Sequence, residues 1–178
     1  DGKTGDGAGM LVQIPDDFYR SRLSFELPAA GSYAVGMLFL PVDGEKREKA
    51  FRLVNTVIEA EKCRCLGWRE VPTDPDCLGE TARSIMPSIW QVFISAGDFR
   101  DETLERRCYV LRKQIEFRAL HEGFPLEELY CPSLSCKTIV YKGMFVAPQF
   151  STFYPDLEDD RFTSALALVH QRYSTNTF

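Results

Sequence analysis

The run ALALVHQRY, residues 165–173, ends in the two side chains best suited to chemistry, His170 and Arg172. Successive side chains of an extended segment alternate between faces, so Leu166, Leu168, His170 and Arg172 share one face. Ala165, Ala167, Val169 and Gln171 take the other. A guanidinium at the exit of an apolar strand needs an anion, and its planar fork matches a carboxylate with two parallel hydrogen bonds. From the residues alone, that anion is either one of the 26 acidic side chains of the chain or a bound carboxylate. Thr175 and Asn176, just beyond, add short hydrogen-bonding groups, and His170 reads as a structural histidine.

Other reactive residues are scattered. Cys63 and Cys65 form a CRC pair and Cys131 and Cys136 close CPSLSC, gaps of one and four residues against the two to four more usual in each knuckle of a structural zinc site. The two histidines, His121 and His170, are far apart in sequence, so no metal site is expected. No Gly-x-Ser-x-Gly elbow marks a serine nucleophile, and no cysteine has a histidine near it in sequence. Cys108 falls on the apolar face of a helix, where a thiol behaves as a small hydrophobe, and all six cysteines are read as reduced. The opening TGDGAG is followed by the strand-like MLVQI rather than a helix, so it is a tight turn and not a dinucleotide or phosphate loop.

The elements that must carry these residues follow from periodicity. MLVQI, YAVGMLFL, CLGWREV and SIWQVFIS read as strands, and DDFYRSRL as a short helix. Ala50, Leu53, Val54, Val57 and Ile58 predict an amphipathic helix over 44–62 with Asp43 as its cap. Leu104, Cys108, Leu111, Ile115 and Ala119 predict a longer one ending near His121, capped by Asp98 or Asp101. Pro72, Pro75 and Gly79 mark a loop, YCPSLSCKTIVYKGMFV a strand pair, APQFSTFYPDL a helical turn, and FTSALALVHQRY the last strand. That last strand is apolar on both faces and is expected to be covered on both, which points to sheets sandwiched between helices in an α+β architecture.

Composition limits the function classes. The 178 residues fit one domain with a substantial core. A net charge of −5 and the lack of an aromatic-interleaved basic cluster argue against nucleic acid. The best apolar run, YAVGMLFLP, is too short for a membrane helix.

HQRYSTNTF, together with TGDGAGMLVQIPDDFYR, LGWREVPTD and YCPSLSCKTIVYKGMFVAPQFSTFYPDL in that order, resembles the glutaminase domain of the glutamate synthases. The resemblance runs from about residue 4 to 178 and implies a class II glutamine amidotransferase of the N-terminal-nucleophile hydrolase fold, a four-layer αββα sandwich. In that family an N-terminal cysteine attacks the glutamine amide with its own α-amino group as base, forms a γ-glutamyl thioester and releases ammonia. The ammonia passes to a synthase domain, where 2-oxoglutarate is reductively aminated with FMN and an iron–sulfur cluster. The resemblance makes Arg172 the anchor of the glutamine α-carboxylate, with Tyr173 and Thr175 lining the same pocket. It implies a cytoplasmic protein, or a plastid one for a plant-type parent, with a reductase subunit or ferredoxin as electron source.

The family's nucleophile lies ahead of TGDGAG and its oxyanion-hole Asn-Gly pair lies beyond HQRYSTNTF. The 178 residues thus read as an interior fragment of a single domain, cut at both ends, without cofactor and inactive by itself. Exposed apolar edges and association are expected of it. The competing expectation is a non-catalytic glutamine-binding or scaffold module of the same fold, and a weaker one is another class II amidotransferase.

Overall fold

The computed structural model describes residues 7–125 and 127–171. Among the described residues seven strands form two antiparallel sheets. β2 (Ala34–Leu40), β3 (Arg64–Glu70), β4 (Ser88–Ser95) and β5 (Tyr130–Ser135) build a four-stranded sheet in the order β3-β4-β2-β5. β1 (Ala8–Gln13), β6 (Thr138–Gly143) and β7 (Ala167–His170) build a three-stranded sheet in the order β6-β1-β7. The helices are α1 (Asp16–Arg22), α2 (Gly44–Ala60), α3 (Glu80–Ser84), α4 (Asp101–His121) and α5 (Phe150–Phe153).

β2 explains the layering. Its alternate residues Ala34, Leu38 and Leu40 face a core shared with α2 and α4. Tyr33, just before it, and Val35 and Met37 within it face a second core with Ala8 and Val12 of β1 and Ile139 and Tyr141 of β6. A strand buried on both sides reads as a continuous apolar run, as YAVGMLFL does. Both predicted helix faces are the buried ones: Ala50, Leu53, Val54, Val57 and Ile58 on α2, and Leu104, Cys108, Leu111, Ile115 and Ala119 on α4. Asp43 caps α2 by accepting the Lys46 N–H at 2.8 Å. The described residues therefore stack as helices, sheet and sheet, with α1 and the turns at 150–154 adding Phe18, Tyr19, Phe153 and Tyr154 to the inter-sheet core.

Four expectations are corrected. CPSLSC and KTIVYKG are not paired with each other: β5 joins β2 and β6 joins β1, so the chain changes sheets at residues 135–138. Serine hydroxyls make that corner possible. Ser135 Oγ accepts the N–H groups of Lys137 and Thr138 at 3.0 and 3.1 Å, and Ser133 Oγ accepts that of Val140 at 3.0 Å, replacing ladder bonds. Neither Asp98 nor Asp101 caps α4. Arg100 is the cap residue, its N–H donates to Thr103 Oγ1 at 3.1 Å, and Asp101 takes φ +46°. Between the loop marked by Pro72, Pro75 and Gly79 and β4, where no helix was expected, lies α3, which buries Ala82. Finally, β7 is not covered. It spans only Ala167–His170 among the described residues and forms one edge of its sheet, and Leu168 and Val169 are 69% and 64% exposed.

Candidate functional site

One end of the three-stranded sheet collects the start of β1 and the ends of β6 and β7. Gly9 pairs with Lys142 on one side and His170 on the other. Residues directly opposite in an antiparallel pair share a face, so His170, Gly9 and Lys142 form one row. A β-carbon built on Gly9 would collide with the His170 ring, so the imidazole lies directly on the β1 backbone. Lys142 Nζ sits 3.2 Å from the Tyr130 hydroxyl and 4.9 Å from the centre of that ring. Its carbonyl accepts the buried Tyr154 hydroxyl at 2.8 Å.

Beside this end opens a cavity of about 530 Å³ whose lining includes Phe39, Ile85, Met86 and Met144, mostly apolar, with the Lys142 ammonium, the Tyr130 phenol and the Glu127 carboxylate as its polar groups. Behind it, in the inter-sheet core, lies a closed polar cluster. Arg69 of β3 donates to Asp156 Oδ1 and Oδ2 at 2.6 and 2.8 Å and to Gln91 Oε1 at 2.9 Å. Gln91 donates to the Tyr141 hydroxyl at 3.0 Å, which donates to Asp156 Oδ2 at 3.0 Å. Burial opposes the charge on Arg69, but hydrogen bonding and attraction to Asp156 outweigh it and hold the guanidinium protonated. Burial pushes the Tyr141 hydroxyl well above the usual phenol range. The cluster is therefore a fixed ion pair with satisfied partners, suited to holding the sheets in register rather than to exchanging protons.

The thiols are free, and none is activated. All six lie above the ordinary thiol value with burial as the largest cause. Cys131 is pushed up to about 12 by burial, and Cys136 to about 12 by burial and then by the Glu105 carboxylate. Nucleophilic cysteines need the reverse, a thiolate favoured by positive neighbours. Among the described residues no three His, Cys, Asp or Glu side chains converge as a metal ion would require.

Of the residues singled out in the sequence, His170 is placed at the site. Arg172, Tyr173 and Thr175 lie outside the described residues, as do Thr4 to Asp6 of the glycine-rich opening. Gly9 and Lys142 were not anticipated there. The only signal for Gly9 is its lack of a side chain within a strand, which marks close approach by a neighbour. Lys142 and Tyr130 are brought together by cross-sheet geometry that no local pattern carries.

The family profile of glutamine amidotransferases class-II matches residues 1–178, and the chain belongs to that family. It is similar to the glutamate synthase [NADPH] large chain of Bacillus subtilis, with 46% identity over the whole chain and 12% of the relative. The large chain of Azospirillum brasilense is 43% identical over the same share of both. Ferredoxin-dependent glutamate synthase 2, chloroplastic, of Arabidopsis thaliana is 39% identical over 99% of the chain and 11% of the relative. The chain thus spans about one eighth of the length of these relatives.

Proposed function

We propose that this chain is part of the glutaminase domain of a glutamate synthase. The observation that carries the reading is identity of 46% along the whole chain with a glutamate synthase large chain. In this reading a cysteine ahead of Asp1 attacks the side-chain amide of glutamine, its α-amino group taking the thiol proton. As the tetrahedral intermediate collapses, the α-ammonium returns the proton to the departing nitrogen, the C–N bond breaks and ammonia leaves, and water later hydrolyses the γ-glutamyl thioester to glutamate and restores the thiol. The residues here bind and orient. Arg172 grips the α-carboxylate through two charge-assisted hydrogen bonds, and Tyr173 and Thr175 line the same pocket. His170, lying against Gly9, fixes the strand from which Arg172 departs.

A second helical layer on the outer face of the three-stranded sheet completes an αββα sandwich. The exposure of Leu166 and Leu168 on that face supports it. FMN and an iron–sulfur cluster belong to other domains of the parent. The described residues do not fit a cluster, because no three candidate ligands converge. The released ammonia goes to the synthase domain, with electrons from a reductase subunit or ferredoxin, in the cytoplasm or a plastid.

The test is glutamine hydrolysis by the full-length protein and its Arg172→Ala variant. Losing about 3 kcal/mol of charge-assisted bonding predicts a KM for glutamine raised about 100-fold. No glutaminase activity in the wild type overturns the reading, and an unchanged KM in the variant overturns the role of Arg172.

A further inference from the structure

α4 carries two apolar stripes on opposite sides. Leu104, Cys108, Leu111, Ile115 and Ala119 follow one line and are buried in the core beneath the four-stranded sheet. Arg106, Tyr109, Val110, Lys113, Phe117 and Leu120 occupy the reverse side within roughly 120° of arc at about 100° per residue. Tyr109 is 64% exposed, Phe117 57% and Leu120 52%. The Phe117 ring stacks on His121 with centroids 4.0 Å apart, which extends the apolar surface to the end of the helix. Single exposed apolar residues are ordinary, but these are aligned over about 17 Å of helix. A surface helix is apolar on one face, and a helix apolar on both is covered on both.

The charges on the strip select what covers it. Between Arg106 and Leu120 no acidic residue lies within it; Glu102, one turn earlier on the same line, is engaged by Lys137, and Glu116 at the margin by Arg112 and Lys113 at 3.1 and 2.7 Å. Arg106, on the strip, forms no ion pair among the described residues. The strip is thus apolar and basic on a chain of net charge −5. A second copy is a poor fit, because a two-fold contact centred on the strip sets Lys113 against its own copy and brings like charges together. An amphipathic helix with acids flanking its apolar line is complementary in both respects.

We propose that the outer face of α4 docks on such an acid-flanked amphipathic helix elsewhere in the same long polypeptide. This rests on the glutamate synthase reading, in which relatives about eight times as long carry this segment as 12% of their length. Tethering in one chain gives a weakly adhesive strip a high effective concentration of its partner.

The experiment uses the full-length protein, with intact mass and glutamine hydrolysis recorded first. Hydroxyl-radical footprinting then reads Tyr109 and Phe117, and carbodiimide cross-linking followed by peptide mapping reads Lys113. The expected result is about tenfold protection of both rings relative to the urea-unfolded protein, as for contacts that exclude water. Lys113 is expected to cross-link to a carboxylate outside residues 1–178 of the same polypeptide, and Phe117→Glu should restore labelling of Tyr109. Rings labelled near their unfolded rate, or Lys113 joined to a second polypeptide, overturn the docking. A long, glutaminase-active protein with an exposed strip sinks the docking alone. A native polypeptide of 20.3 kDa sinks the parent reading and the docking with it.

Discussion

His170 fills the space that a β-carbon on Gly9 would need, and this cross-strand fit decides how the candidate site is built. Introducing one methyl into such a contact costs typically about 1–3 kcal/mol, because the ring or the strand must move. Gly9→Ala should therefore lower the midpoint of urea unfolding by that amount. Removing the ring should relieve the clash, so Gly9→Ala with His170→Ala should be more stable than the two single effects added together. Additivity of the two changes would show that the contact does not exist as described. Arg172 was singled out because guanidinium chemistry and the HQRYSTNTF motif are both local, and its position lies outside the described residues. The sequence did not carry Gly9 against His170, since those residues are brought together only by the antiparallel register of β1 and β7.

At the scale of elements, α2 and α4 were legible to within a turn, because one buried face imposes a local repeat on a long helix, whereas the five-residue α3 is too short to show one. Strand partners were not legible. KTIVYKG follows CPSLSC as a hairpin arm would, and only Ser133 and Ser135, which take backbone N–H groups out of the ladder, send it to the other sheet. The covering of β7 was misjudged for a related reason. Apolar residues on both faces show what a strand can bury, not what lies over it within these 178 residues. The end of α2 shows a cost hidden from pattern reading. Cys63 N–H returns to the Ile58 carbonyl and Lys62 N–H to that of Glu59, a closing turn that needs the left-handed conformation at Lys62, whose φ is 57°. A β-carbon in that conformation costs about 1–2 kcal/mol, part of which glycine gives back through its freer unfolded chain. Lys62→Gly should stabilise the protein by roughly 0.5–1 kcal/mol, while Lys62→Ala, which keeps the β-carbon, should change little. Equal urea midpoints for the two variants would remove the argument.

For the whole molecule, the two cores raise the question of what holds one sheet to the other in a single arrangement. Hydrophobic burial is non-directional and tolerates sliding, whereas the polar cluster between the sheets does not. Arg69 and Gln91 come from the four-stranded sheet, Tyr141 from the three-stranded one, and Asp156 from the turn that follows it. The side chains of Arg69 and Asp156 are only 12% and 4% exposed, so neither charge can be solvated if its partner is removed. Asp156→Ala should therefore cost about 3–5 kcal/mol, a large part of the 5–15 kcal/mol typical of a folded domain. Replacing both, as Arg69→Met with Asp156→Leu, removes the stranded charge and should cost clearly less than Asp156→Ala alone. If the cluster also fixes register, the double variant should keep its stability yet show broadened signals and faster amide exchange in β6, whose Lys142 and Gly143 border the candidate site. Unfolding in urea measures the first expectation and hydrogen exchange the second. A double variant as unstable as the single would mean that Asp156 acts through its hydrogen bond to Tyr141 rather than through its charge. Unchanged exchange in β6 would mean that apolar packing alone sets how the sheets meet.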